Sequence, residues 1–236
     1  MVRNGAPCLS RRLCQPAPCD GPRPRLHPSQ VVRARLRRCH NQAMKNICVY
    51  CGSSPGRLET YAAAARALGE ALVARDLGLV YGGASIGLMG LVADAVLALG
   101  GRVVGVIPQG LARKEVVHRH LTELHVTQSM HERKTLMAEL SDGFIAMPGG
   151  IGTFEEIFEI WTWAQLGIHA KPCGLLNVAG YYDALTTFLD HATDEQFLKP
   201  PHRALLMVEQ QPLALLDRFA SYQPPPIKKW LDPDES

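Results

Sequence analysis

Short apolar runs recur along this chain, and most are separated by a stretch long enough for one amphipathic helix. The runs fall at 46–51 (NICVYC), 78–82 (GLVYG), 102–107 (RVVGVI), 122–127 (TELHVT), 143–147 (GFIAM) and 173–178 (CGLLNV). Helix-like periodicity lies at 59–76, 87–99, 129–141, 153–167 and 182–196, and a weaker strand (204–208) and helix (211–221) close the pattern. Strands that are apolar throughout must be covered on both faces, and alternation with helices is how a parallel sheet acquires that cover. The expected fold is α/β: a Rossmann-like, doubly wound parallel sheet in a single domain. A hydrophobic fraction of 47% is enough to fill its core. No apolar run approaches the 18 or so residues of a membrane span, which reads as a soluble protein.

The pattern begins at Met44, and what precedes it has a different composition. Residues 1–43 carry nine arginines, one acid (Asp20) and no lysine, are rich in proline, and show no periodicity. They read as a disordered Arg/Pro-rich extension, or as sequence upstream of a true start at Met44. They contain no apolar core of a secretory signal. Residues 44–222 make up the domain and 223–236 a C-terminal tail. The net charge of +3 belongs to the extension, since the rest of the chain keeps 16 basic and 21 acidic side chains, a balance of −5. The folded part therefore gives no electrostatic reason to bind nucleic acid, and the extension lacks the interleaved aromatics that would stack on bases.

Four of the seven cysteines (Cys8, Cys14, Cys19, Cys39) lie in the extension at spacings that match no zinc or disulfide framework. Cys48 and Cys51 form a C-x-x-C, but inside an apolar strand-like run instead of at a helix start, so a redox role is not expected. An odd count without a signal peptide points to the reducing cytosol and a cytoplasmic protein.

In a doubly wound sheet, ligands bind at the carboxyl ends of the strands, where loops lead into helix N-termini. The glycines gather there: CGSSPG (51–56), YGGASIGLMG (81–90) and PGGIGT (148–153). Each can turn backbone N–H groups toward an anion, and each can also be only a tight turn. None is a P-loop, because Leu88-Met89 stands where Lys-Ser/Thr is required, and none fits G-x-G-x-x-G cleanly. A hydride-transfer cofactor is not supported, and no cofactor or metal is called for.

Two helices carry a charge on the wrong face. Around 129–141 the Met130, Leu136, Met137 and Leu140 side chains share an apolar arc, and Arg133 projects into it with Lys134 near its edge. Ser129 and Glu132 form a capping box that sets the start of this helix. Around 153–167, Glu155, Glu159 and Thr162 share a polar face, but Glu156 falls between Ile160 and Trp163. A buried charge needs a partner, so something anionic is expected at Arg133. Glu156 has two readings, a site carboxylate or the end of a Thr153-x-x-Glu156 capping box, and one residue can serve both. As a site residue, it would face the sugar of a ligand whose 5′-phosphate sits on the N–H groups of Gly150 to Thr153. A lone carboxylate beside a phosphorylated ribose suits cleavage at the anomeric carbon. It suits phosphate-ester hydrolysis less, because no acidic cluster for Mg²⁺ is evident.

The stretches MHERK (130–134), PGGIGTFEE (148–156) and WTWAQLGIHAKPCGLLNVAGYYDAL (161–185) resemble the LONELY GUY (LOG) family. These are cytokinin riboside 5′-monophosphate phosphoribohydrolases, also labelled lysine decarboxylases. The resemblance covers roughly 44–222. It implies hydrolysis of a cytokinin nucleotide or AMP to free base and ribose 5-phosphate, with Arg133 and Glu156 as the catalytic pair. It also implies substrate contacts from Glu115, Lys134, Gly150, Ile151, Gly152, Thr153, Phe154, Glu155 and Thr162, and assembly as a homodimer or larger homo-oligomer. The second loop departs from the family, with Ala84 where a third glycine is frequent, and its methyl group would crowd a ligand there. Phe158, Trp161 and Trp163 offer aromatic surface for a partner copy or plain core. A pyridoxal-phosphate decarboxylase would need a Schiff-base lysine and an acidic partner for the pyridine nitrogen, and no such pair stands out. The competing reading is a nucleotide-binding carrier of the same fold, from which Glu156 discriminates, since a pure binder gains nothing from a carboxylate near a phosphate.

Overall fold

A computed structural model describes residues 44–112 and 117–225. The arginine-rich extension, the candidate contact Glu115 and most of the C-terminal tail lie outside the described residues. Among the described residues, seven strands form one sheet: β1 (Asn46–Tyr50), β2 (Gly78–Tyr81), β3 (Val103–Pro108), β4 (Glu123–Thr127), β5 (Gly143–Ala146), β6 (Cys173–Leu176) and β7 (Leu206–Glu209). Their order is β4-β3-β2-β1-β5-β6-β7, and every neighbouring pair is parallel.

Strand side chains alternate between two cores, as the two-residue repeat of a strand requires. Ile47, Val49, Leu79, Tyr81, Val103 and Ile145 point to one face, where α1 (Glu59–Ala74), α2 (Gly87–Ala98) and α8 (Pro212–Ala220) cover them. Cys48, Tyr50, Val80, Val104, Phe144 and Ala146 point to the other, under α4 (Met130–Glu139), α5 (Ile151–Leu166) and α6 (Asp183–Asp194). Burying one such aliphatic side chain stabilises by about 1.5–3 kcal/mol. Each sheet face and its helices therefore form a layer that neither could form alone. Two strand glycines serve this packing: a Cβ at Gly143 or Gly174 would come within 3.0 or 3.1 Å of the Phe219 ring. The C-x-x-C pair is part of this core, and burial pushes the Cys48 thiol up to about 12.

Short elements add to the expected pattern: helices α3 (Gln109–Ala112) and α7 (Pro200–Arg203), and a 3₁₀ turn at Val178–Gly180. Trp161 is core, with its Nε1–H donating to the His202 carbonyl (2.9 Å), and Phe158 and Trp163 pack half-buried against the same cluster. No helix among the described residues is long and apolar enough to cross a membrane.

The chain runs outward from β1 to β4 and then returns to lay β5 on the other side of β1. That reversal is the switch point of the sheet, where the loops after β1 and β5 diverge and leave a crevice.

Candidate functional site

The three glycine turns meet in that crevice. The Gly52 N–H donates to the Pro148 carbonyl and the Gly52 carbonyl accepts from Leu88 N–H, each at 3.0 Å, so one residue of the first turn ties in the other two. The turns fit only without side chains: a Cβ at Gly87 would strike the Ser53 backbone, and one at Gly149 would strike the Thr153 hydroxyl. Ala84 is fully buried and its backbone pairs with Val117, so its methyl group packs inside the protein instead of crowding the cleft.

The helix after β5 starts earlier than its sequence suggests. Gly150 is the N-cap, Ile151 the first helical residue, and no side chain caps the end. Thr153 is therefore inside the helix, buried against Gly149, and the capping-box reading of Thr153 and Glu156 is incorrect. The first turn is left with unpaired N–H groups, no acidic side chain, and open space beside Gly150 and Gly152. Those N–H groups and the positive end of the helix form an anion-binding end.

Freed from capping, Glu156 pairs with Arg133. Its Oε1 accepts from Arg133 Nη1 at 2.6 Å, and the two side chains are only 13% and 11% exposed. Arg133 is placed by the start of α4: the Ser129 hydroxyl accepts from Glu132 N–H (3.1 Å), while the Glu132 carboxylate accepts from Gln128 N–H (2.8 Å), one residue before the expected partner. From there the guanidinium reaches across to β3, donating Nε–H to the Val106 carbonyl (3.0 Å) and contacting Met130 Sδ (3.4 Å). Burial raises the Glu156 carboxyl above the ordinary carboxylate range, and the adjacent Arg133 opposes the rise without cancelling it. Glu156 lies about 7 Å along the helix axis from Ile151, and its side chain leans back toward the anion-binding end. The open helix end and the paired Glu156 carboxylate are thus carried by one helix.

Lys134 stands beside the pair, its Nζ 2.5 Å from Glu155 and 2.9 Å from Glu159. Burial acts to depress its pKa, but the hydrogen bonds and charges of the two glutamates outweigh it and hold it above the ordinary lysine value. The remaining candidates are spread along α5. Ile151 is 81% exposed at the rim, Phe154 packs edge-on to Tyr182 (6.2 Å), and the Thr162 hydroxyl donates back to the Phe158 carbonyl. No group of three His, Cys, Asp or Glu side chains is arranged to hold a metal among the described residues.

Two supports of Arg133 are not foretold by the sequence: the Val106 carbonyl, which any residue would supply, and Gly82, which belongs to the second glycine turn but whose contact with Arg133 no motif records. A Cβ at Gly82 would lie 2.7 Å from Arg133 Nη2 and 3.2 Å from Met89 Sδ. The guanidinium is the far end of a flexible chain and can move, but only by giving up its bonds to Val106 and Glu156. Gly82→Ala is therefore expected to lower the kcat/KM of any reaction that uses the Arg133–Glu156 pair by about 10- to 100-fold, the cost of misplacing a site residue by a fraction of an ångström, with little change in Tm. Equal activity of the variant and the parent in a steady-state assay would remove Gly82 from the account.

Known proteins resemble this chain in sequence and in fold. The family described as "Possible lysine decarboxylase" matches residues 89–219. An Oryza sativa subsp. japonica protein named as a probable cytokinin riboside 5′-monophosphate phosphoribohydrolase is 52% identical over 182 residues, covering 77% of this chain and 74% of its own. An Arabidopsis thaliana protein named cytokinin riboside 5′-monophosphate phosphoribohydrolase is 48% identical over 195 residues, covering 83% and 82%. Among solved structures, the molybdenum cofactor carrier protein of Chlamydomonas reinhardtii superposes with a TM-score of 0.58 at 20% identity, over 76% of this chain and 100% of that one. The molybdenum cofactor binding protein of Rippkaea orientalis gives 0.59 at 19%, over 77% and 98%. At such identities the likeness to these two shows the fold alone.

Proposed function

The chain belongs to the LONELY GUY family of cytokinin riboside 5′-monophosphate phosphoribohydrolases, and from that premise we propose that it hydrolyses the N-glycosidic bond of a purine nucleoside 5′-monophosphate. The products are the free base and ribose 5-phosphate, and the substrate is a cytokinin riboside 5′-monophosphate, AMP or both. The observation that carries the reading is the nearly buried Arg133–Glu156 pair, one and a half turns into a helix whose uncapped N-terminus faces the crevice.

The 5′-phosphate sits on the N–H groups of Gly150 to Thr153, with Glu155, Lys134, Phe154, Thr162 and Glu115 as the further substrate contacts that the family resemblance implies. Glu156 faces the ribose. The C1′–N9 bond breaks with its electron pair leaving on the purine, the oxygen of water bonds to C1′, and one proton of that water ends on the base. Glu156 stabilises the positive charge that develops on the sugar ring. Its raised pKa also suits it to receive the water's proton. Arg133 fixes the carboxylate's position and offsets part of the cost of its burial.

Decarboxylation fits the side chains poorly. A Schiff-base lysine needs a lowered pKa, and Lys134 is held protonated by two glutamates. The carrier reading gains only a shared fold from the carrier structures. We place the enzyme in the cytoplasm, from its cysteine usage, and read it as a homodimer or larger homo-oligomer, from the family resemblance; sedimentation velocity of the full chain tests the latter.

The test of the reaction is its dependence on the phosphate. Base release from AMP and from isopentenyladenosine 5′-monophosphate is measured against release from the two nucleosides. The monophosphates are expected to be favoured by about 100-fold in kcat/KM, since charge-assisted bonds at the helix end exist for them alone. Equal rates with and without the phosphate would overturn the assignment of the helix end.

A further inference from the structure

Three consecutive carbonyls lead into the proposed phosphate-binding turn, and each is held by a different residue. Met147 O accepts from the Tyr182 hydroxyl (2.7 Å), Pro148 O from Gly52 N–H (3.0 Å), and Gly149 O from the Tyr181 hydroxyl (2.5 Å). In a trans peptide the carbonyl and the following N–H point in opposite directions. Fixing the Gly149 carbonyl therefore fixes where the Gly150 N–H points. This peptide joins two glycines, Gly149 packed close against Thr153 and Gly52 and Gly150 beside open space, so it has no side chain of its own to set its rotation.

We propose that Tyr181 is a positioning residue for the phosphate-binding turn: its hydroxyl holds the Gly149–Gly150 peptide so that the Gly150 N–H faces the ligand. The inference rests on the phosphoribohydrolase reading, which it deepens by naming a residue that acts on the phosphate through the backbone.

The surroundings of Tyr181 are built to aim it. Its ring stands edge-on to Tyr182 (5.0 Å) and to Tyr61 of α1 (5.9 Å). Tyr61 in turn lies under Gly56 of the first glycine turn, where a Cβ would come within 2.7 Å of the ring. The chain enters through left-handed Ala179 (φ 51°) and Gly180 (φ 71°). A left-handed alanine is strained and persists where its surroundings over-determine it. Here the buried Asn177 does so, its Oδ1 accepting from Tyr182 N–H and its Nδ2–H donating to Asp183, both at 2.7 Å. The two hydroxyls differ in what they do. Tyr182 is fully buried, and without its hydroxyl the Met147 carbonyl is left unpaired in the core. Tyr181 is 38% exposed, so water can replace its hydroxyl on the Gly149 carbonyl at little cost to the fold, and what is lost is the direction of the peptide.

The full chain, Tyr181→Phe and Tyr182→Phe are titrated calorimetrically with ribose 5-phosphate and with adenosine, and their Tm values are recorded. Tyr181→Phe is expected to bind ribose 5-phosphate about tenfold more weakly, to bind adenosine as the parent does, and to keep its Tm. Its KM for AMP should rise more than its kcat falls. Tyr182→Phe is expected to show a lowered Tm instead. Unchanged ribose 5-phosphate binding in Tyr181→Phe, or an equal loss of both ligands, would overturn the proposal. If Tyr181→Phe does not fold, Tyr61→Leu, which removes the ring that Tyr181 leans on, must show the same phosphate-selective loss, and its absence counts against the clamp. A parent that binds ribose 5-phosphate but releases no base from any nucleotide contradicts the hydrolase and leaves the clamp to be judged by the variants. A parent that binds neither ligand removes both.

Discussion

Glu156→Gln is expected to lower kcat for base release about a thousandfold, within the range that one positioned acid–base group supplies, while ribose 5-phosphate binds within about twofold of the parent. The amide keeps the size of the carboxylate, and its oxygen can still accept from Arg133 Nη1, now at 2.6 Å from the acid. What it lacks is the charge to stabilise an oxocarbenium ion and the basicity to take a proton. Stability should hold or rise slightly, because burial raises the Glu156 pKa above the ordinary carboxylate range and the fold therefore already favours an uncharged group there. Rate measurements alongside calorimetry separate the two effects. A variant that keeps a tenth of the parent's rate would contradict the role given to Glu156.

The second large effect is at Arg133. Arg133→Met keeps an unbranched apolar stem and removes the charge, and kcat/KM is expected to drop by about 100-fold, the cost of leaving the catalytic carboxylate out of place. The pH dependence carries more information than the drop. Burial raises the Glu156 pKa and Arg133 opposes that rise. Without Arg133 the main opposition to burial is lost, so the acid limb of the residual activity must move to higher pH. Stability follows the same sign. A carboxyl whose folded pKa exceeds its unfolded one binds its proton first in the folded state, so its contribution to stability grows as pH falls through that window. Arg133→Met should accordingly recover stability on mild acidification more than the parent does. A limb that stays in place or moves down would show that Arg133 does not act on Glu156.

These charges were visible in the sequence because each falls inside the apolar arc of its own helix, and a buried charge needs a partner. Projection marked Arg133 and Glu156 as inward-facing, and the structure pairs them. The strands were legible for a similar reason, since runs such as GFIA and CGLL are apolar on both faces and fit only a covered sheet. The start of α5 was not. Thr153-x-x-Glu156 has the spacing of a capping box, but tertiary packing overrides it by burying Thr153 against Gly149, and an uncapped glycine starts the helix instead. The supports of the site were equally hidden. Val106 contributes a carbonyl, Gly82 contributes the absence of a methyl group, and Tyr181 reaches Gly149 from 32 residues away. Such contacts depend on which loops the sheet order brings together, and local periodicity carries no record of that.

The central claim is that this chain breaks the bond between a purine and ribose 5-phosphate. The most direct measurement incubates the full chain with AMP and with isopentenyladenosine 5′-monophosphate and quantifies every product by chromatography and mass. Free base and ribose 5-phosphate are expected in equal amounts, with no free nucleoside and no inorganic phosphate. Nucleotide recovered intact after prolonged incubation, under conditions where the chain demonstrably binds it, would contradict the hydrolase and make the crevice a carrier's site.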